Sequence, residues 1–193
     1  PLGKDLSRDP AGNGQAKSDV RLVSIQRLLR RGAITNLAKM LARMHPADIA
    51  NVIDHLSSQK EKREIFELVR GDVKRGQVLS ELDGESITLV LSDLLPSDAA
   101  WLLKDLGSDD IAHILSVIPN DRAKEILALM RTEDSTEIAD LLKYPKGTAG
   151  GIMTTEFFAL SEDATAQEAI RRLQQATDAE MVFYIYVTDK EDR

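Results

Sequence analysis

Tyr144-Pro145-Lys146-Gly147-Thr148-Ala149-Gly150-Gly151-Ile152-Met153-Thr154-Thr155 separates two different hydrophobic patterns. Before it, apolar residues recur at helical spacing. After it come a strand-like run, a capped helix and a second strand-like run. Pro145 has no amide hydrogen with which to continue a helix, and Gly147, Gly150 and Gly151 permit tight or left-handed backbone. The stretch is a joint between two architectures, and on local grounds it could be a linker and nothing more.

On the amino-terminal side, residues 1–18 are polar and aperiodic, and read as disordered or as a tag remnant, Pro1-Leu2-Gly3 resembling a cleavage scar. From Ser18 onward Val20, Val23, Leu28 and Leu29 form a helical stripe that Gly32 stops, and Ile34, Leu37, Met40, Leu41 and Met44 form the next. Leu41, Met44, Pro46, Asp48, Ala50, Val52, Ile53 and Leu56 then recur as Leu91, Leu94, Pro96, Asp98, Ala100, Leu102, Leu103 and Leu106, each offset by 50 positions. Pro119, Asp121, Ala123, Ile126 and Leu129 give a weaker third copy, 23 positions after the second. Proline suits the first position of a helix, where its missing N–H would have no partner, and an aspartate two residues on sits in the positive first turn. Short helices repeated in this way cannot each close a core, so they stack. The expectation is a superhelical stack of roughly eight to ten short helices, armadillo- or FliG-like, over residues 19–143, with strands only after Gly151.

Residues 144–193 differ. Phe157–Leu160 reads as a short strand. Thr165-Ala166-Gln167-Glu168 is a capping box ahead of Ile170 and Leu173, and Val182–Thr188 reads as a second strand, buried because Met181–Val187 is apolar throughout. Strand, helix and strand without a third strand leave an edge and part of an apolar face to be covered by another chain, further sequence or the helices.

Composition narrows the function. With 42% hydrophobic and 4% aromatic residues, the chain favours helix packing. No cysteine is present, which excludes disulfides, thiol catalysis and cysteine-bound metal. The net charge of −7 is uneven: residues 1–75 hold 15 Lys/Arg against 9 Asp/Glu, and residues 76–193 hold 10 against 23. An acidic second part argues against nucleic-acid binding and suits cations, although a solvated acidic surface looks the same. No apolar run approaches the ~18 residues of a membrane span. His45, His55 and His113 lack zinc spacing, and no nucleophile–base set or phosphate loop occurs, so the chain is not expected to be an enzyme.

The joint resembles the segment that enters the CBS domain pair of MgtE-type magnesium transporters, Tyr-Pro-Glu-x-x-Ala-Gly-x-x-Met-Thr. Tyr144, Pro145, Thr148, Ala149, Gly150, Gly151, Met153 and Thr154 fit that segment, whereas Lys146 replaces its acid. The resemblance continues through Glu156, Phe157, Ala159 and Leu160, then Ala179-Glu180-Met181 and Tyr184-Ile185-Tyr186-Val187. It implies that residues 144–193 are a linker and the first half of a CBS motif. It also implies that residues 19–143 are the amino-terminal domain of such a transporter, and that a homodimer and an attached transmembrane pore lie outside this chain. The role implied is regulatory, at the cytoplasmic face of the cell membrane, with weakly bound Mg2+ as the sensed ion.

Two residues carry the implied metal site, Asp98 and Gly151. In the family a helix start like that of Asp98 reads Asp-Asp-Ala-Ala-Asp, and its carboxylates help hold magnesium; here Ser97-Asp98-Ala99-Ala100-Trp101 keeps the middle acid alone. Magnesium needs only one or two carboxylates and keeps several waters. Asp98 is equally an ordinary first-turn acid, like Asp48 and Asp121. Gly151 matches a glycine whose backbone carbonyl can ligate magnesium in the family, and it also serves as a hinge. Elsewhere Ser108 reads as the N-cap of a helix with Asp109 and Asp110 in its first turn, Glu133, Asp134, Glu137 and Asp140 share a helical spacing, and Trp101 falls on an exposed or interface side. The rival reading is a soluble helical-repeat scaffold with a CBS-like module that binds protein partners and senses no metal; the loss of acids at Ser97 and Trp101 favours it.

Overall fold

Pro46 and Pro96 each open a helix at its first position, and the rest of the fold is built by repeating what surrounds them. The computed structural model describes residues 21–145, 147–155, 157–175, 184–189 and 191. Ten helices fill residues 21–141: α1 (residues 21–30), α2 (Ile34–Ala42), α3 (Pro46–Asp54), α4 (Gln59–Leu68), α5 (Asp72–Ser80), α6 (Gly84–Asp93), α7 (Pro96–Leu103), α8 (Ser108–Val117), α9 (Asn120–Leu127) and α10 (Thr132–Leu141). After a 3-10 turn, Gly150–Ile152, come β1 (Ala159–Ser161), α11 (Ala166–Gln175) and β2 (Tyr186–Thr188). The 50-residue repeat therefore spans four helices, since α2 corresponds to α6 and α3 to α7. The weaker copy lies two helices on, at α9, where Pro119 is the N-cap and not the first helical residue.

From α2 onward, each helix packs on the helix two places along. α3, α5, α7 and α9 form one layer, and α2, α4, α6, α8 and α10 the other. Between them lies one continuous core in which Ile25, Leu37, Leu41, Ile49, Ile53, Ile65, Phe66, Leu79, Ile87, Leu91, Leu103 and Ile114 are almost fully buried. Two cations join the layers. Lys74 of α5 donates to the carbonyls of Leu41, Ala42 and Met44 (3.0, 3.1 and 2.7 Å), at the end of α2. Arg122 of α9 donates to Leu91 O (3.2 Å) and Leu94 O, at the end of α6. Leu41 O also accepts from Met44 N at 3.2 Å. Carbonyls at a helix end lack the amide of the next turn, and a positive charge there also meets the negative end of the helix dipole. The two clamps occupy equivalent places in the two repeats.

Local chemistry accounts for the boundaries. Gly71, at φ 88°, precedes α5. His45 caps α3 through Nδ1, which accepts from Ala47 N at 3.3 Å. Ser58 caps α4, and Asp83 caps α6 by accepting from Ser86 N at 2.7 Å. Ser108 differs from expectation: Gly107 is the N-cap of α8, and Ser108 is its first residue, buried and bonded elsewhere. A buried hydrogen bond ties α4 to α6, Lys62 Nζ donating to Ser86 Oγ at 3.0 Å, and beside it Asp83 N donates to Asp54 Oδ2 of α3 at 3.2 Å. Burial raises the Asp54 carboxyl, against hydrogen bonds from Ser86 and Asp83.

The strands differ from expectation in length and environment. β1 and β2 pair in parallel, Ala159 opposite Tyr186 and Ser161 opposite Thr188, with α11 as the crossover. Of the second run, Met181, Val182 and Phe183 lie outside the described residues. Tyr184, Ile185, Tyr186 and Val187 are exposed, contrary to the expectation of a buried strand, because among the described residues no layer covers the two-stranded sheet. Thr165 Oγ1 accepts from Glu168 N at 3.3 Å, which makes half of the expected capping box. The Glu168 carboxylate turns instead to Arg171 and Arg172, whose hydrogen bonds hold it down to about 2.

Two measurements check these packing claims. A Cβ on Gly76 would stand 2.6 Å from Leu102 O, where α5 crosses α7. Gly76→Ala should cost about 1–3 kcal/mol in urea unfolding, despite the better helix propensity of alanine. The Asp83 carboxyl lies below its usual value of 3.8, because hydrogen bonds from Ser86 and the charge of Lys62 outweigh the opposing effect of burial. A depressed folded-state value means that its contribution is complete above pH 3.8 and fades as pH falls through the lower value. Asp83→Ala should therefore lose about 1 kcal/mol near neutrality and correspondingly less at the acid end, read from unfolding midpoints across pH.

Candidate functional site at the joint

The joint folds against the carboxyl-terminal end of the stack. Tyr144 N donates to Leu141 O at 3.1 Å, which closes α10, and Pro145 then stops the helix. Gly147 takes a left-handed φ of 75°. Thr148 Oγ1 donates to Pro145 O at 2.7 Å, and Gly151 N donates to Thr148 O at 3.0 Å. The turn is so tight that a Cβ on Gly151 would lie 2.6 Å from Pro145 O, and one on Gly150 would enter the Tyr144 ring. Glycine at these two places is a requirement of close approach.

Beyond the turn, the chain is fastened by oxygen atoms from three segments. Ser108 Oγ of α8 donates to Glu137 Oε1 of α10 at 3.0 Å, and Thr155 Oγ1 donates to the same oxygen. The two hydroxyl oxygens lie 3.0 Å apart. One carboxylate oxygen thus gathers a buried serine and a joint threonine, and the bonds are strengthened by its charge. Thr155 and Glu137 also line a cleft of about 660 Å3 along α10, with Glu133, Asp140, Tyr144 and Met153. Lys143 bonds Asp140 at 2.5 Å, which raises its ammonium group above the usual range.

The sequence-derived site residues fall in separate places. Gly151 borders a second cleft, of about 410 Å3, between the joint and α8–α9, where Asp109, His113, Ser116 and Asn120 supply polar groups. Asp98 does not line it; it is exposed in the first turn of α7, which packs on α5 and α9. Among the described residues no cationic side chain pairs with Asp98, whereas its repeat counterpart Asp48 is bound by Arg21 at 2.5 Å. Among the described residues no three His, Cys, Asp or Glu side chains converge as metal ligands. Trp101 is exposed but held: its indole donates to Asp72 Oδ2 at 3.0 Å, and the Lys104 ammonium lies 3.3 Å from the ring centroid. The Ser108–Glu137–Thr155 contact escapes sequence reasoning. Its one signal is that Ser108 follows a glycine that can take the cap.

A two-layer stack of short proline-started helices, closed by a glycine turn and followed by a strand–helix–strand unit, is a helical-repeat module joined to a second unit. Residues 44–147 match the MgtE intracellular N domain, so the chain belongs to that family. Over 54 residues it is 44% identical to a magnesium transporter MgtE of Thermus thermophilus and 43% identical to one of Enterococcus faecalis, in each case 28% of this chain and 12% of the relative. The matched segment is thus a small part of those transporters. Solved structures are similar as well. The cytosolic domain of the Mg2+ channel MgtE in complex with ATP is 31% identical, with a TM-score of 0.75 over 89% of this chain and 70% of that one. The soluble part of a magnesium transporter is 24% identical, with a TM-score of 0.69 over 90% of this chain and 68% of that one; it shares the fold. Among the described residues no helix is long and apolar enough to cross a membrane.

The joint contact has a direct test. Thr155→Val removes one donor from Glu137 and should cost about 0.5–1.5 kcal/mol. Its specific mark is local: amide hydrogen exchange of Gly151 and Ile152 should quicken while that of α3 stays unchanged. Equal exchange in parent and variant would show that Thr155 does not fasten the turn.

Proposed function

We propose that this chain is the regulatory region, at the cytoplasmic face of the membrane, of a magnesium transporter whose pore lies in sequence outside it. The observation that carries the proposal is the family match ending at Gly147, inside the joint, together with a likeness to the cytosolic domain of an Mg2+ channel that extends over 89% of the chain. On this reading residues 19–143 form the N domain, and residues 144–193 a linker and the first half of a CBS motif. The complete protein is a homodimer.

The regulatory step is a population shift driven by a cation. Facing acidic surfaces repel until magnesium neutralises them, so the ion favours the closed arrangement by its difference in affinity for the two. Asp98 supplies one exposed carboxylate, unclaimed by a cation among the described residues. Gly151 supplies a backbone carbonyl in a fixed turn. Magnesium keeps several waters and takes one or two carboxylates, so each residue suits one side of a hydrated site whose remaining ligands come from a facing surface. Asp98 and Gly151 border different helices, which fits half-sites better than one cage.

Isothermal titration with magnesium chloride at constant ionic strength tests this. Parent protein should bind weakly, with an affinity of about millimolar order, and Asp98→Ala should weaken that binding. Asp48→Ala should leave binding intact and cost about 0.3–1 kcal/mol of stability, because Asp48 serves the helix dipole and Arg21. Equal loss in both variants, or no saturable binding by the parent, would count against Asp98 as a sensing residue.

A further inference from the structure

One face of α1 carries guanidinium groups that the fold does not use. Val23, Gln26, Arg27, Arg30 and Arg31 follow one another at helical spacing and line one concavity of about 300 Å3. The opposite stripe, Leu22, Ile25, Leu28 and Leu29, packs into the core. Arg27, Arg30 and Arg31 are exposed, and among the described residues none has a carboxylate partner. Arg21, on the same helix, is already bound to Asp48.

Helix capping does not account for the three arginines. Gly32 takes a left-handed φ of 64°, its N–H bonds Leu29 O at 2.9 Å, and Ala33 N bonds Leu28 O at 3.0 Å. This backbone motif already closes the end of α1. Like charges three and four residues apart repel, and an anion between them removes the repulsion. Guanidinium forks match the oxygen geometry of phosphate and can engage it through paired hydrogen bonds. Gln26 adds amide donors, and Val23 an apolar wall that is 53% exposed.

We propose that the face formed by Arg27 and Arg30 of α1 with Arg31 just beyond its end binds a phosphate-bearing anion of two or more charges, through the three guanidiniums with Gln26 beside them. The inference is independent of magnesium sensing. It lies in the basic first 75 residues, away from Asp98 and Gly151.

The probes are sodium tripolyphosphate, titrated in magnesium-free buffer, and vesicles of phosphatidylglycerol or of phosphatidylcholine, used in sedimentation. The triple variant Arg27→Gln/Arg30→Gln/Arg31→Gln should lose about tenfold in affinity or more. A control that removes the same charge elsewhere, Lys60→Gln/Lys124→Gln/Arg131→Gln, should change it by less than about twofold. Binding of the parent should weaken as salt rises, as for any contact made by exposed charges. Saturable tripolyphosphate binding supports the site and points to a free phosphate compound. Sedimentation with phosphatidylglycerol but not phosphatidylcholine, lost in the triple variant, supports it and points to a lipid headgroup. Equal loss in variant and control would reduce the effect to net charge and overturn the proposal, as would binding to neither probe.

Discussion

The stack depends on how its helix ends are closed. α2 and α6 stop three and two residues before the next proline, which leaves their last carbonyls without the amides of a further turn. In both repeats a cation from the other layer fills that gap: Lys74 at the end of α2 and Arg122 at the end of α6. Each clamp joins two helices, one from each layer, so it fixes the separation of the layers as well as the end of a helix. The apolar core fills the space so defined. Gly76 shows how closely it is filled, since α5 meets the carbonyl of Leu102 where a methyl group would not fit.

The proline–aspartate repeat made the helical stack and its 50-residue period legible in the sequence, because proline at a helix start acts locally. The clamps were not legible. Lys74 and Arg122 are different residues, and they lie at slightly different distances from the carbonyls they meet, so a fixed offset of 50 does not reveal them. Ser108 misled for a related reason. Serine is a good cap, but Gly107 takes that position, and the serine hydroxyl goes instead to Glu137 and Thr155, which are 29 and 47 residues away. Apolar content alone suggested that residues 184–187 are buried. Burial requires a second layer, and a strand pattern cannot show whether one is present.

At the candidate site, the glycines of the joint were readable because backbone geometry restricts them directly. Asp98 was readable as a first-turn acid, and the structure adds a distinction from Asp48: the earlier aspartate is occupied by Arg21, and Asp98 is exposed without such a partner among the described residues. The exposed Trp101 is anchored by Asp72 and Lys104, so this face of α7 sets an indole and a lysine beside the Asp98 carboxylate.

The pattern in which each helix from α2 onward packs two places along bears on how the chain acquires its shape. Contacts between near neighbours in sequence require little loop closure, so such stacks form quickly and can start at more than one point. During synthesis, α2 and α3 can pack on α4 and α5 before α8 has been made. The joint is different. Its fastening needs Ser108, Glu137 and Thr155 together, and so it is completed only after the last stack helix has docked. The segment after the joint is therefore oriented late, by a stack that is already formed.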